Sequence, residues 1–195
     1  MKDTRGEDYA HRLRTKQDAR WKQILDVQAP YRWNLRRQDL GRTLDIGCGI
    51  GRNLAHLPEG SVGVDHNAAS VAEARRRGFH ALTTEEWATS DLRTPGSFDS
   101  LLLAHVVEHM DAASAEALLR EYLAYLRPHG SVFLICPQER GYASDPTHVR
   151  FVDLDALAGL VRTVGLQPVK SFSFPFPRVV GKAFTYNEFC LLARA

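Results

Sequence analysis

From about residue 40 onward, short apolar runs alternate with helix-forming segments five times, and this alternation constrains the fold more than any other feature. "TLDIG", "SVGVD", "HALT", "FDSLLLA" and "SVFLICP" read as strands. "FDSLLLA" is nearly continuous in apolar residues, as a strand buried on both faces should be. Between the strands, "GRNLAHL" reads as a helix start halted by Pro58 and Gly60. "AASVAEARRRG" reads as a helix with Gly78 as its C-cap. "DAASAEALLREYLAYLRP" reads as a long helix capped by Asp111 and stopped at Pro128, and "DLDALAGLVRTVG" as a further one. "PVKSFSF" and "FTYNEFCLLARA" close the chain as two strands, too near each other for a helical crossover and so predicted to form an antiparallel hairpin. The expectation is an α/β doubly wound sheet of seven strands, mostly parallel, with helices on both faces. In such sheets ligands lie beyond the carboxyl ends of the strands, near strand one.

A chain of 195 residues with 44% hydrophobic content can bury one sizeable core. Residues 1–40 are expected as an N-terminal helical extension, rich in Arg, Trp and Tyr and broken at Pro30, and residues 41–195 as the main domain. The first 40 residues carry ten Lys/Arg against six Asp/Glu, which suits either a solvated amphipathic helix or an acidic partner. A net charge of +2 is too small to argue for nucleic acid. Cys48, Cys136 and Cys190 have no metal spacing and sit in apolar settings, as reduced buried thiols do. No apolar h-region follows the opening residues, and no apolar run approaches the roughly 18 residues a membrane span needs. The expectation is a cytoplasmic protein without membrane contact, with a homodimer as the assembly considered and the oligomeric state left open.

The stretch "TLDIGCGIGRN" places Gly47, Gly49 and Gly51 directly after strand one. A dinucleotide fingerprint wants a small residue at its sixth position, where this chain has Arg52. Asp45 ends the strand two residues before the first glycine. A carboxylate there would repel a pyrophosphate but attract the ammonium and sulfonium of S-adenosylmethionine (SAM). The structural alternative is that Asp45 bonds nearby backbone N–H groups. Asp65 ends strand two in "VGVDHN", where an acid can accept hydrogen bonds from ribose hydroxyls or cap the next helix. His66 and Asn67 can serve as that cap as well.

"LDIGCGIGRN", "VGVDHN", "FDSLLLAHVVEHM" and "LRPHGSVFLICPQ" resemble, in order and spacing, the class I SAM-dependent methyltransferases, over roughly residues 40–195. The resemblance implies a Rossmann-like fold. It also implies that Asp45, Gly47, Gly49 and Gly51 hold the methionine part of SAM, that Asp65 and His66 lie at the ribose, and that Glu86 in "TTEEW" touches adenine. "AHVVEHM", with His105, matches the block lining the floor of the cofactor site.

Methyl transfer to an alcohol needs a nucleophile close to the methyl group and a base or metal to take its proton. His105-x-x-x-His109 has zinc-like spacing, but it straddles a strand end and lacks the glutamate beside the first His that H-E-x-x-H requires. "EHM" is therefore read as shaping and packing the site. His148 in "SDPTHVRF", the loop after strand five, is the candidate general base, with Asp145 to orient it and contact the acceptor. The alternatives are a plain turn capped by Asp145, or Mg2+ held by Asp145, His148 and other oxygens; no dedicated metal centre is assigned. Arg178 and Asn187 are candidate acceptor contacts, while Phe172, Phe174 and Phe176 read as one packing face of a strand. Tyr31, Trp33, Arg36 and Arg37 could form part of a lid. The "DPTHVRF" loop looks like that of methyltransferases of actinobacterial secondary and polysaccharide metabolism, including sugar 1-O-methyltransferases. The expected function is methyl transfer from SAM to a hydroxyl of a small molecule. Competing readings are an RNA methyltransferase, and a SAM-binding regulatory protein without turnover.

Overall fold

The structure is a computed structural model that describes residues 29–195. The chain divides into two compact units at Ser90/Asp91. The first contributes strands β1 (Thr43–Ile46), β2 (Val62–Asp65) and β3 (Ala81–Thr83), parallel and in the order β3-β2-β1. The second contributes β4 (Phe98–Ala104), β5 (Leu126–Pro137), β6 (Gln167–Phe174) and β7 (Glu188–Arg194), in the order β4-β5-β7-β6. β4 and β5 are parallel; β7 runs antiparallel to both β5 and β6. This is the expected seven-stranded, mostly parallel sheet with an antiparallel C-terminal pair.

In the first unit, β1 and β2 are buried at every position. Cys48, Leu54, Val71, Ala74 and Ala81 form a core, with Leu57 and Phe79 packed on it. Gly63 in β2 makes this packing possible, because a Cβ there would lie 2.6 Å from Cys48 Sγ and 2.8 Å from Leu54 Cδ1. Helix α1 (Ala29–Arg36) carries Pro30 in its first turn. A first-turn residue has no intrahelical N–H bond to lose. Residues 1–28 of the anticipated extension lie outside the described residues. "GRNLAHL" gives only a single 3-10 turn, Leu54–His56. Helix α2 (Ala68–Arg76) starts at Asn67, whose side chain accepts from Ser70 N. It ends in a Schellman arrangement: Gly78 (φ 86°) donates to Arg75 O and Phe79 to Ala74 O. "TTEEW" forms a short helix, α3 (Thr84–Ala88), opened by a Thr83/Glu86 capping box.

In the second unit, Leu101, Leu102, Leu103, Phe133, Leu134 and Leu191 are fully buried along β4, β5 and β7. Helix α4 (Ala112–Leu123) begins at Asp111, which accepts from Ser114 N at 2.7 Å, as expected. Helix α5 (Glu139–Tyr142) follows β5, and α6 (Leu154–Thr163) packs on β6 and β7. Phe174 is buried and Phe172 stacks on Phe133, but Phe176 lies past the strand end and is exposed. All three cysteines are free and buried. No helix among the described residues is long and apolar enough to cross a membrane.

Candidate functional site

The glycine loop is built by its hydrogen bonds. Gly47 N and Cys48 N both donate to Val64 O, and Gly51 N donates to Cys48 O. Gly47, Gly49 and Gly51 all have left-handed φ, at 74°, 54° and 78°, which L side chains with a Cβ rarely adopt. Arg77 reaches back from the end of α2 to donate to Ile50 O at 2.9 Å.

Asp45 is fully buried, and neither carboxylate oxygen has a hydrogen-bond partner. Burial pushes its pKa up to about 8; the nearby Asn53 side chain pulls it back and the charge of Asp65 raises it further. A buried carboxylate left in this state costs stability unless a cation comes to it. Asp65 accepts from Gly49 N at 2.7 Å through Oδ2 and from Asn67 N at 2.8 Å through Oδ1. Asn67 takes the capping role, so Asp65 does not cap α2. A carboxylate has about four acceptor positions, so two remain for hydroxyls. His66 Nδ1 stands 3.7 Å from Asp65 Oδ1. The donors and charges of this loop fit SAM: an unpaired acid for its cations, a second acid for its ribose, and glycines where backbone and ligand must approach closely.

Glu86 is the least available of the expected cofactor residues. Its carboxylate accepts from Thr83 N at 2.8 Å and pairs with Arg75, whose hydrogen bond holds its pKa below the ordinary range. In α1, Trp33 is exposed, with the Arg37 guanidinium 4.3 Å from its ring.

The second unit holds a separate group of charged and imidazole side chains. His105 has φ 60°, in the left-handed region. Its Nε2 is 2.9 Å from Glu188 Oε1 and its Nδ1 is 3.3 Å from Glu108 Oε1. Burial works against the charged ring, but its contacts with the two carboxylates outweigh that and lift its pKa to about 10. Its side chain is 43% exposed, so solvent tempers the effect. The imidazolium keeps Glu108 ionised: burial would raise that acid, and the His105 contact and charge hold it below the ordinary range. Glu108 is fully buried, and its Oε1 makes no hydrogen bond. The Cys136 thiol lies 3.7 Å from its Oε2 and is held protonated by burial and by that charge.

His148 stands in the loop after β5. Its Nδ1 lies 2.7 Å from Tyr142 O. A carbonyl only accepts, so Nδ1 carries a proton, and the lone pair of the neutral ring lies on Nε2. Its ring stacks on Tyr142 and lies 4.7 Å, centroid to centroid, from His109. The same logic fixes His109. Its Nδ1 is 3.3 Å from Thr147 O and 3.2 Å from Thr147 Oγ1, while the Thr147 hydroxyl is committed to Asp145 Oδ1 at 2.7 Å. Burial, aided by His148 and opposed by Glu108, holds His109 below its ordinary pKa and so neutral. Asp145 thus orients His109 through Thr147, rather than orienting His148 as expected. The loop is anchored by Val149 N and Arg150 N, both of which donate to Glu108 O.

Arg178 and Asn187 are spent within the fold. Arg178 forms an ion pair with Glu139 and lies over the Phe189 ring at 4.7 Å. Asn187 is fully buried; its Oδ1 accepts from Phe176 N, and its Nδ2 donates to Gln138 Oε1, Phe176 O and Pro177 O. Both polar atoms of its side chain are thus engaged inside the protein. Glu108, for which no chemistry was expected, has a carboxylate oxygen within 4.8 Å of ring nitrogens of both His109 and His148. The adjacent pair Glu108-His109 was visible in the sequence, but the 39 positions to His148 carried no spacing signal.

Residues 9–171 match the methyltransferase domain family, which takes in most of the chain and begins inside the expected N-terminal extension. No curated protein sequence matches. Solved structures with the same fold include a SAM-dependent methyltransferase from Archaeoglobus fulgidus (TM-score 0.66, 19% identity, 89% of this chain and 97% of that one). Another is magnesium protoporphyrin IX methyltransferase from Synechocystis PCC 6803 with bound SAM (TM-score 0.56, 19% identity, 91% and 82%). A third is the complex of the Haloferax volcanii Trm112 methyltransferase activator with a methyltransferase (TM-score 0.65, 17% identity, 91% and 94%). The glycine loop, its two acids and the family match agree: this chain belongs to the methyltransferase domain family.

Proposed function

We propose that this protein transfers a methyl group from SAM to a hydroxyl oxygen of a small organic acceptor, such as a sugar or another secondary metabolite. The observation that carries the cofactor is Asp45, a buried carboxylate with two unsatisfied oxygens just before a three-glycine turn. When bound, SAM supplies an electrophilic methyl group on a sulfonium. Asp45 and the glycine loop would hold its methionine end, and Asp65 with His66 its ribose. Adenine recognition by Glu86 would use the backbone of α3, because the carboxylate is engaged by Arg75 and Thr83.

The oxygen acceptor is supported by the imidazoles of the second unit. A hydroxyl must lose its proton to become a good nucleophile. His148 acts on it through the lone pair that its Nδ1–H···O=C bond leaves on Nε2. Asp145 contributes by fixing the neighbouring His109 through Thr147.

Two experiments test this reading. Calorimetry with SAM, S-adenosylhomocysteine and NADH should give binding of the first two and none of the third; NADH binding without SAM binding overturns the cofactor assignment. SAM consumption screened against pooled alcohols, phenols and saccharides should find turnover in at least one pool. Turnover confined to amines or RNA would replace the acceptor class.

A further inference from the structure

We infer that Glu108, His109 and His148 form a binding site for one divalent transition-metal ion of the zinc, cobalt or iron(II) type. One ligating atom from each of the three lies within 4.8 Å of the others. Three independent features prepare them. Glu108 is fully buried, and its Oε1, 3.3 Å from His105 Nδ1, makes no hydrogen bond. His148 donates Nδ1–H to the carbonyl of Tyr142, and His109 donates Nδ1–H to Thr147, so both rings hold their lone pairs on Nε2. Fixing the distal ring N–H on a carbonyl is how metal-binding histidines are oriented and made more basic. The Asp145–Thr147–His109 chain adds a third shell to this support.

The donor chemistry selects the ion. Two imidazoles and one carboxylate suit zinc, cobalt or iron(II), whereas Mg2+ demands oxygen ligands and retains its waters. Three protein ligands leave at least one open position, as catalytic rather than structural sites do. With bonds of about 2.0–2.1 Å the ligating atoms would stand about 3.4 Å apart. The gaps therefore close by at most about 1.4 Å on metal binding.

The use of the open position rests on the proposed hydroxyl acceptor: coordinated oxygen gives up its proton to solvent near neutral pH. With the ion bound, His148 would be a ligand and the coordinated oxygen would lose its proton without it, so the base role of His148 belongs to the metal-free protein. Metal binding itself does not depend on that reading.

The test uses the full chain stripped with a chelator and reloaded with Co2+. One equivalent per chain should produce intense visible d–d bands of low-coordinate cobalt, with Zn2+ abolishing them and Mg2+ at large excess leaving them in place. His148→Asn and His109→Gln should each weaken Co2+ binding by about 10- to 100-fold or more. His148→Asn lies in a loop and should keep the wild-type circular dichroism, which guards against misfolding in Glu108→Gln. A weak octahedral spectrum, or a cobalt spectrum unchanged in His148→Asn, overturns the site. The two readings fail separately. Asp45→Asn should keep the cobalt bands while losing SAM binding, and cobalt bands without methyl transfer to any hydroxyl would leave the metal site standing and remove the acceptor assignment.

Discussion

Gly49 donates its backbone N–H to Asp65 Oδ2 at 2.7 Å, tying the middle of the glycine turn to the acid at the end of the neighbouring strand. The second oxygen of the same carboxylate holds Asn67 N, the start of α2. One side chain therefore sets both the loop and the following helix before any ligand arrives. Asp65→Asn keeps the shape but replaces one acceptor by a donor, so one backbone N–H loses its partner. The expected outcome is a loss of about 1–3 kcal/mol in chemical denaturation, with SAM affinity falling about tenfold or more by calorimetry.

Asp45 makes cofactor affinity depend on pH. Its pKa in the folded protein is about 8, well above the unfolded value near 4. Between those values the native state binds more protons than the unfolded one, so this group's contribution to stability falls as pH rises. A cationic ligand needs the ionised form, so SAM affinity should increase from pH 6 towards about 8, with proton release. Asp45→Asn should raise the melting temperature of the ligand-free protein at neutral pH while weakening SAM at least tenfold. Calorimetry in buffers of different ionisation enthalpy measures the proton release, and a flat pH profile would contradict the assignment.

Gly51→Ala should fail for two separable reasons. Its φ of +78° costs an L-residue about 1–2 kcal/mol, and the new Cβ would lie 2.5 Å from Phe79 Cδ2. Overpacking adds about 1–3 kcal/mol. In a Phe79→Leu background the steric part should shrink and the backbone part persist, as a double-mutant cycle on denaturation midpoints would show.

His105→Asn tests the charge between Glu108 and Glu188 without disturbing the backbone, since Asn tolerates left-handed φ. Both buried carboxylates would lose their cation. Removing one partner of a buried pair typically costs about 3–5 kcal/mol, and the partial exposure of His105 puts the expected value at about 2–3 kcal/mol by urea denaturation.

Asn187→Ala separates a structural residue from an acceptor contact. It removes four hydrogen bonds in a buried setting and leaves three carbonyl groups and the Phe176 N–H to find new partners. Stability should fall by about 2–4 kcal/mol, with the acceptor KM of the folded fraction unchanged. A specific rise in KM without loss of stability would restore Asn187 as an acceptor contact.

The alternation of strands and helices was legible because continuous apolar runs and local caps such as Asp111 are short-range signals. The three glycines, Asp45 and Asp65 were legible for the same reason, since turn chemistry and strand ends sit within a few residues of each other. "GRNLAHL" misled because its helix-like composition supports only one 3-10 turn between two strands. The histidine group was hidden by distance along the chain. His105 meets Glu188 from 83 positions away, and the proton positions on His109 and His148 follow from carbonyls that only the folded loop brings near.

Glu108 anchors the loop after β5 with its main-chain carbonyl, through Val149 N and Arg150 N, while its side chain faces the histidines. Attachment and reactivity are thus carried by different parts of one residue. Both of the loop's hydrogen bonds at position 108 would therefore be open to any side chain there, because neither uses the carboxylate.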